Sequence, residues 1–293
     1  MRVAVTGGTG FVGIHTVRAL KSAGHEVVVV ARGSARRPQG ERVTFVPADL
    51  TNSPKLAETF AGCDAVVHLA AVIHERGRQT FDRVNRQAAE RVAAAAKEAQ
   101  VGHLVHQSVL GADPDPRYRY LESKWAGEQA VRASGVPYTA LRPGLIFGPG
   151  DGFFTLLTRL MRLNPVIPVA GDGRTLFQPI FVGDVTRCIT LALERGPSSR
   201  VHELGGPDQM SYEEIILTIK STLGLHRKIA HVPLPMMTPL AFMMEKLLRK
   251  PPVTRDELRM LARNNVTRTD SVRVAFGFDA TPFPGNCDYL GDY

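Results

Sequence analysis

The sequence predicts an α/β fold: a parallel sheet wound on both faces by helices, followed by a smaller C-terminal α+β lobe. Three observations carry this. Apolar runs alternate with helical patterns through the first half of the chain. Those runs are nearly continuous Val, Ala and Leu, the mark of strands buried on both faces. A glycine-rich loop follows the first run directly and opens the first helical pattern.

In order, "RVAVTG" is a strand and "FVGIHTVRALKSAG" a helix closed by Gly24. "EVVVVAR", "VTFVPADL" and "AVVHLAA" are the second to fourth strands. A long alanine-rich helix follows, from about Phe81 to Gln100. "HLVHQSV" is the fifth strand, a helix from about Tyr120 to Ala133 comes next, and "PYTALRPG" is the sixth strand. This succession is that of a doubly wound, Rossmann-type sheet. After "FGPGDG" proline becomes frequent, and helices are expected near 153–163, 184–195, 211–224, 238–249 and 254–263. The expected division is a core at 1–150, rejoined by 175–200, and a substrate lobe over most of 151–293.

The 293 residues include 44% hydrophobic and 22% charged, an ordinary globular balance. A net charge of +8 suits an anionic ligand, but the cations are scattered, which argues against nucleic acid. The one dense cluster is Arg32 with Arg36 and Arg37. Three distant cysteines, Cys63, Cys188 and Cys287, indicate neither a disulfide framework nor a zinc site. No secretory signal pattern and no apolar run of about twenty residues is present, so a cytoplasmic protein is expected.

Glycines between a first strand and a first helix allow a tight turn and let the backbone approach a pyrophosphate at the helix N-terminus. A bound dinucleotide is therefore expected. "AVTGGTGFVG" can be read in two registers, one starting at Gly8 and one at Gly7, both running through Gly10 and Gly13. An acidic residue at the end of the second strand would bond a ribose 2′-hydroxyl; here the strand ends in Ala31-Arg32. Arg32 suits a 2′-phosphate, so NADP(H) is expected over NAD(H). Tyr120 and Lys124 lie four apart on one helix and share a face. A lysine ammonium lowers the pKa of a neighbouring tyrosine, which then serves as general acid or base toward a carbonyl or alcohol.

"TGGTGFVG", "HLAA" at 68–71, "VN" at 84–85, Tyr120-x-x-x-Lys124, "LRPGLIFGPG" and Asp184-Val185 together resemble the extended short-chain dehydrogenases/reductases. "VHELGGPDQMSYEEI", "HVPLP" and "VTRDELRMLARNNV" look like the atypical subgroup that includes the NADPH-binding accessory subunit of respiratory complex I. The resemblance implies the register Gly7, Gly10, Gly13, with Phe11 and Val12 between the last two, as the cofactor loop. It also implies that Asp49 and Leu50 flank the adenine, that Leu69, Ala70 and Ala71 line the cofactor, and that Pro143 lies beside the nicotinamide. Lys124 would hold the nicotinamide ribose.

Two positions depart from the family pattern. Its catalytic Ser or Thr aligns with Val109, leaving Ser108 one residue earlier and, by strand alternation, on the other face. The arginine that grips a nucleotide-sugar diphosphate aligns with Phe177, with Arg174 offset. An apolar small-molecule substrate is thus expected, with Tyr120, Lys124 and Ser108 as catalytic residues. A non-catalytic NADPH-holding accessory protein and a nucleotide-sugar epimerase or dehydratase are the alternatives. The methionine-rich stretch 235–250 is either a helix packed on the lobe core or a contact surface for a membrane or protein partner. His68, His74 and His106 lack ligand spacing and read as structural. The chain is expected as a monomer or homodimer.

Overall fold

The structure is a computed structural model describing residues 1–33, 40–248 and 253–293. The chain runs β1 (Arg2–Thr6), α1 (Phe11–Ser22), β2 (Glu26–Ala31), β3 (Val43–Pro47), α2 (Leu56–Phe60), β4 (Ala65–His68), α3 (Ala88–Glu98), β5 (His103–Gln107), α4 (Arg119–Ala133) and β6 (Tyr138–Pro143). It continues through β7 (Ile146–Phe147), α5 (Phe153–Leu163), β8 (Val166–Ala170), β9 (Leu176–Phe177) and β10 (Ile180–Phe181), then α6 (Val182–Arg195) and β11 (Val201–Leu204). Last come β12 (Met210–Ser211), α7 (Tyr212–Thr222), β13 (Lys228–Val232), α8 (Leu234–Leu247), α9 (Arg255–Met260) and α10 (Ser271–Phe276).

Two compact units result: Met1–Pro143 with Val182–Leu204, and Gly144–Phe181 with Gly205–Tyr293. The first holds a seven-stranded sheet in the order β11-β6-β5-β4-β1-β2-β3, with every neighbouring pair parallel. This is the predicted Rossmann-type sheet. The order reverses between β1 and β4, so the crevice for a ligand opens past the carboxyl ends of these two strands. One face packs Ala4, Val28, Val66 and Leu104 against the alanine-rich α3 and Val131 of α4. Small side chains on α3 let it lie close to the sheet.

The expected long helix from Phe81 begins instead with a π-helical segment, Asp82–Gln87, before α3. The extra residue per turn carries Asn85 inward, where it is 2% exposed.

The second unit builds its core from Phe147, Phe154, Met161, Ile167, Phe177, Ile215, Ile219 and Phe283. β8 pairs in parallel with β13, and β9 pairs antiparallel with β12. α8 starts four residues before the expected 238: Pro235 occupies its first turn, where a missing N–H costs nothing, and Pro239 lies inside the helix.

The terminal segment packs Phe283 edge-on to Phe147 at 5.1 Å and against Phe154 at 4.8 Å. Tyr289 Oη donates to Asp151 Oδ2 at 2.5 Å and accepts from Gly148 N at 3.0 Å. Asp151 also caps α5, its Oδ1 accepting from Phe154 N at 2.8 Å. Its burial raises the carboxyl above the ordinary range, despite these bonds.

Candidate functional site

The glycine loop leaves β1 at the point where the strand order reverses. Gly7 takes φ +74°, a left-handed conformation, and a Cβ on it would lie 2.7 Å from Ala70 N. A Cβ on Gly13 would lie 2.1 Å from Gly7 O. Gly7 and Gly13 are thus locked against each other, while Gly10 donates its N–H to Gly7 O at 3.0 Å. Gly10 caps α1 with no side-chain bond, and no acidic residue occupies the first turn, so among the described residues no side chain caps the leading N–H groups of the helix. A cradle that any Cβ would fill, at a positive helix end, fits a dinucleotide pyrophosphate.

The other residues singled out in the sequence lie at or just past the carboxyl ends of β2, β3, β4 and β6. Leu69 continues β4, its N–H donating to Thr6 O at 3.0 Å, and Ala70 is the residue that Gly7 touches. Ala71 follows it, exposed. Leu50 is buried in the sheet core. Asp49 accepts from Thr51 N at 2.9 Å and Thr51 Oγ1 at 2.8 Å. Burial opposes its ionisation, but these bonds and the nearby Arg32 and Arg83 outweigh it and hold the carboxyl below the usual range. Arg32 stands exposed just past β2. With the Gln79 amide turned to face it, its Nη1 donates to the amide oxygen at 2.5 Å. Arg36 and Arg37 lie outside the described residues. Pro143 ends β6, opposite Leu204.

Lys124 is buried on α4, and its Nζ donates to Gln107 O, at the end of β5, at 2.7 Å. Burial lowers Lys124 to about 8. Tyr120, one turn earlier, sets its ring 5.8 Å from that of Phe81, edge to face. Burial pushes the phenol up to about 12. This corrects the expectation that Lys124 lowers it: helical spacing fixes the pair on one face, but desolvation of the phenol outweighs an ammonium turned toward a carbonyl.

Strand pairing continues past β5. Ser108 N donates to Leu141 O and Leu110 N to Pro143 O, both at 2.8 Å. Alternation therefore places Ser108 with Leu104 and His106, the face that carries α3 and α4, and Val109 on the other. Ser108 Oγ is buried and meets no hydrogen-bond partner among the described residues.

Three features escaped the sequence reading. Asn85 braces the segment after β4: its amide accepts from Val72 N at 2.8 Å and donates to Val72 O and to Ser123 Oγ, both at 3.0 Å. Glu128, fully buried on α4, takes both Arg142 Nε and Nη2 at 2.8 Å. His68 and His106 stack with ring centroids 5.3 Å apart, and Thr6 Oγ1 lies 2.6 Å from His68 Nδ1. Only the "VN" motif signalled one of these in advance.

Phe177 is a core residue of the second unit, 6.3 Å from the Tyr212 ring, and Arg174 is exposed. Its apolar character is accounted for by packing. The neighbouring Gln178 is the buried polar group there, bonding Gly206 O at 2.6 Å and Thr267 N at 2.7 Å. Among the described residues no group of three or more His, Cys, Asp or Glu is placed to hold a metal ion, and no helix is long and apolar enough to cross a membrane.

Comparison with known proteins agrees with this architecture. The chain is 30% identical over 257 residues to "NADH dehydrogenase [ubiquinone] 1 alpha subcomplex subunit 9, mitochondrial" of Arabidopsis thaliana, covering 83% of this chain and 64%, just under two thirds, of that protein. It is 32% identical over 237 residues to "Ceramide reductase" of Caulobacter vibrioides, covering 80% of this chain and 74% of the relative. It is 28% identical over 307 residues to a "4-hydroxy-2-methyl-3-oxo-4-farnesyl-3,4-dihydroquinoline-1-oxide ketoreductase" of Stigmatella aurantiaca, covering 95% and 92%. Among solved structures, a dTDP-glucose 4,6-dehydratase from Streptomyces venezuelae with NAD bound shares the fold at TM-score 0.79 and 21% identity, covering 100% of this chain and 96% of that one. The family model "NAD dependent epimerase/dehydratase family" matches residues 3–205, the stretch that holds the glycine loop, the tyrosine–lysine pair and the whole parallel sheet bar its first residue. The chain belongs to the NAD-dependent epimerase/dehydratase family, with the extended short-chain dehydrogenase fold that its motifs resemble.

Proposed function

We propose that this chain is an NADP(H)-dependent reductase of a carbonyl on a lipophilic small molecule. The observation that carries the reading is the grouping at the end of β5. Lys124 Nζ is fixed on Gln107 O, Ser108 Oγ is buried on the face of α4 without a partner among the described residues, and Tyr120 stands one turn from Lys124. When bound, the cofactor supplies the hydride.

The loop at Gly7, Gly10 and Gly13 holds the pyrophosphate, with Phe11 and Val12 at the start of the helix. Arg32 takes the 2′-phosphate, Asp49 and Leu50 flank the adenine, and Leu69, Ala70, Ala71 and Pro143 line the rest. Ser108 Oγ donates to the substrate carbonyl oxygen and so polarises it. A phenol held up at about 12 keeps its proton at neutral pH, which suits Tyr120 to donating that proton to the developing alkoxide. Lys124 orients the ribose. The relatives named as a ceramide reductase and a farnesyl-dihydroquinoline-oxide ketoreductase support both the direction of the reaction and the class of substrate.

Kinetics with a panel of lipophilic ketones, alongside cofactor titration, test this. Tyr120→Phe should lower kcat by about 10²–10⁴ and change NADPH affinity by less than about twofold. Tighter binding of NADH than of NADPH would overturn the cofactor choice. The relatives named as complex I subunits favour a second reading, an accessory protein that holds NADPH without turning it over. Tight NADPH binding without oxidation by any member of the panel would establish that reading instead.

A further inference from the structure

We infer that the outer face of α8 is a docking surface for an anionic lipid bilayer. Met236, Leu240, Met243 and Leu247 recur at intervals of four, three and four, so they form one stripe along the helix. All four are 50–76% exposed, while Ala241, on the inner side, is 1% exposed. An apolar stripe of this length is normally covered in a folded protein.

The charge around it selects the occupant. From Leu234 to Arg255 the chain carries four cations, Lys246, Arg249, Lys250 and Arg255, against one acid, Glu245. That acid is already neutralised: Arg255 bonds it from its backbone N at 2.6 Å and from Nε at 2.8 Å. Lys246 lies in the last turn of the helix, and the stretch as a whole carries a net positive charge. A second copy set against it would present the same net positive charge, with no acid left over to answer it. An anionic headgroup layer instead attracts this charge, while the methionine and leucine side chains enter the acyl boundary.

Phe242 marks the depth of insertion. Lys246 Nζ lies 4.5 Å and Arg255 Cζ 4.7 Å from its ring centre, an exposed aromatic flanked by two cations. Such a group sits at headgroup level. With fourteen residues, about 21 Å, α8 lies along the surface and does not span it.

Flotation of the full chain with vesicles, without cofactor or substrate, tests this independently of the redox reading. The probes are phosphatidylcholine vesicles, pure or containing about one-third phosphatidylserine. The protein should float with the anionic vesicles and be released by salt. The double variant Leu240→Gln/Met243→Gln should bind them at least about tenfold more weakly. Lys246→Glu should weaken binding by a few-fold. Both variants change exposed side chains, so unchanged melting midpoints should confirm that they fold. Failure to float with anionic vesicles, or equal flotation with neutral ones, would overturn the inference. So would a concentration-dependent dimer that the double variant abolishes and that leaves vesicles unbound.

Discussion

His68 and His106 spend the polar capacity of two imidazoles in a place where little answers it. Among the described residues, His106 meets no hydrogen-bond partner at either ring nitrogen, and His68 none at Nε2. Burial drives His68 down to about 3 and His106 well below the ordinary 6.5, and the Lys124 ammonium lowers both further. Both rings are therefore neutral in the folded state at pH values where the unfolded chain binds protons. Above pH 6.5 neither state is charged at these sites and they contribute no pH dependence. As pH falls below 6.5, the unfolded chain gains protons that the folded one refuses, and stability drops by about 1.4 kcal/mol per pH unit for each histidine. Urea unfolding between roughly pH 4.5 and 7 should show this slope, and His106→Phe, which keeps a stacking ring, should remove one histidine's share. An unchanged slope would show that His106 is not held neutral. The sequence placed these rings in buried strands, but not their fate. Spacing locates a residue along an element, whereas an acidity shift depends on what surrounds it, and Tyr120 shows the same limit.

At the scale of elements, the π-helical segment and α4 form one joint. Gly127 on α4 faces the Asn85 carbonyl so closely that a Cβ would lie 2.3 Å from that oxygen. Alanine favours a helix over glycine by about 1 kcal/mol, but an overlap of this size forces the two backbones apart. Gly127→Ala should therefore lower stability by about 1–3 kcal/mol in denaturant unfolding, and a stabilised variant would refute the close packing. The strands of the sheet were legible because fully buried parallel strands need continuous apolar runs. The π-helical segment was not, because one inserted residue leaves an alanine-rich pattern almost unchanged. The start of α8 was misplaced because Pro239 resembles a first-turn proline. The terminal segment was opaque because Tyr289 and Phe283 act through a few long-range contacts without any period.

For the whole molecule, the chain passes between its two units three times, at residues 143–144, 181–182 and 204–205. The stretch matched by the family, 3–205, therefore contains the entire first unit except its first two residues, but only 144–181 and Gly205 of the second. Strand β8 has its partner β13 beyond that limit, and β9 has β12. Phe147 and Phe154 likewise rest on Phe283. A fragment ending at Gly205 should leave these groups bare and aggregate or bind a hydrophobic dye, while the full chain does neither. A soluble, dye-silent fragment would contradict this. The stretch that defines the family is thus not a module that could be inherited or transplanted alone. Whatever sequence follows residue 205 must bring a strand for β8 and an aromatic for Phe147, so a change at the end of the chain is felt in the segment 144–181 that precedes it.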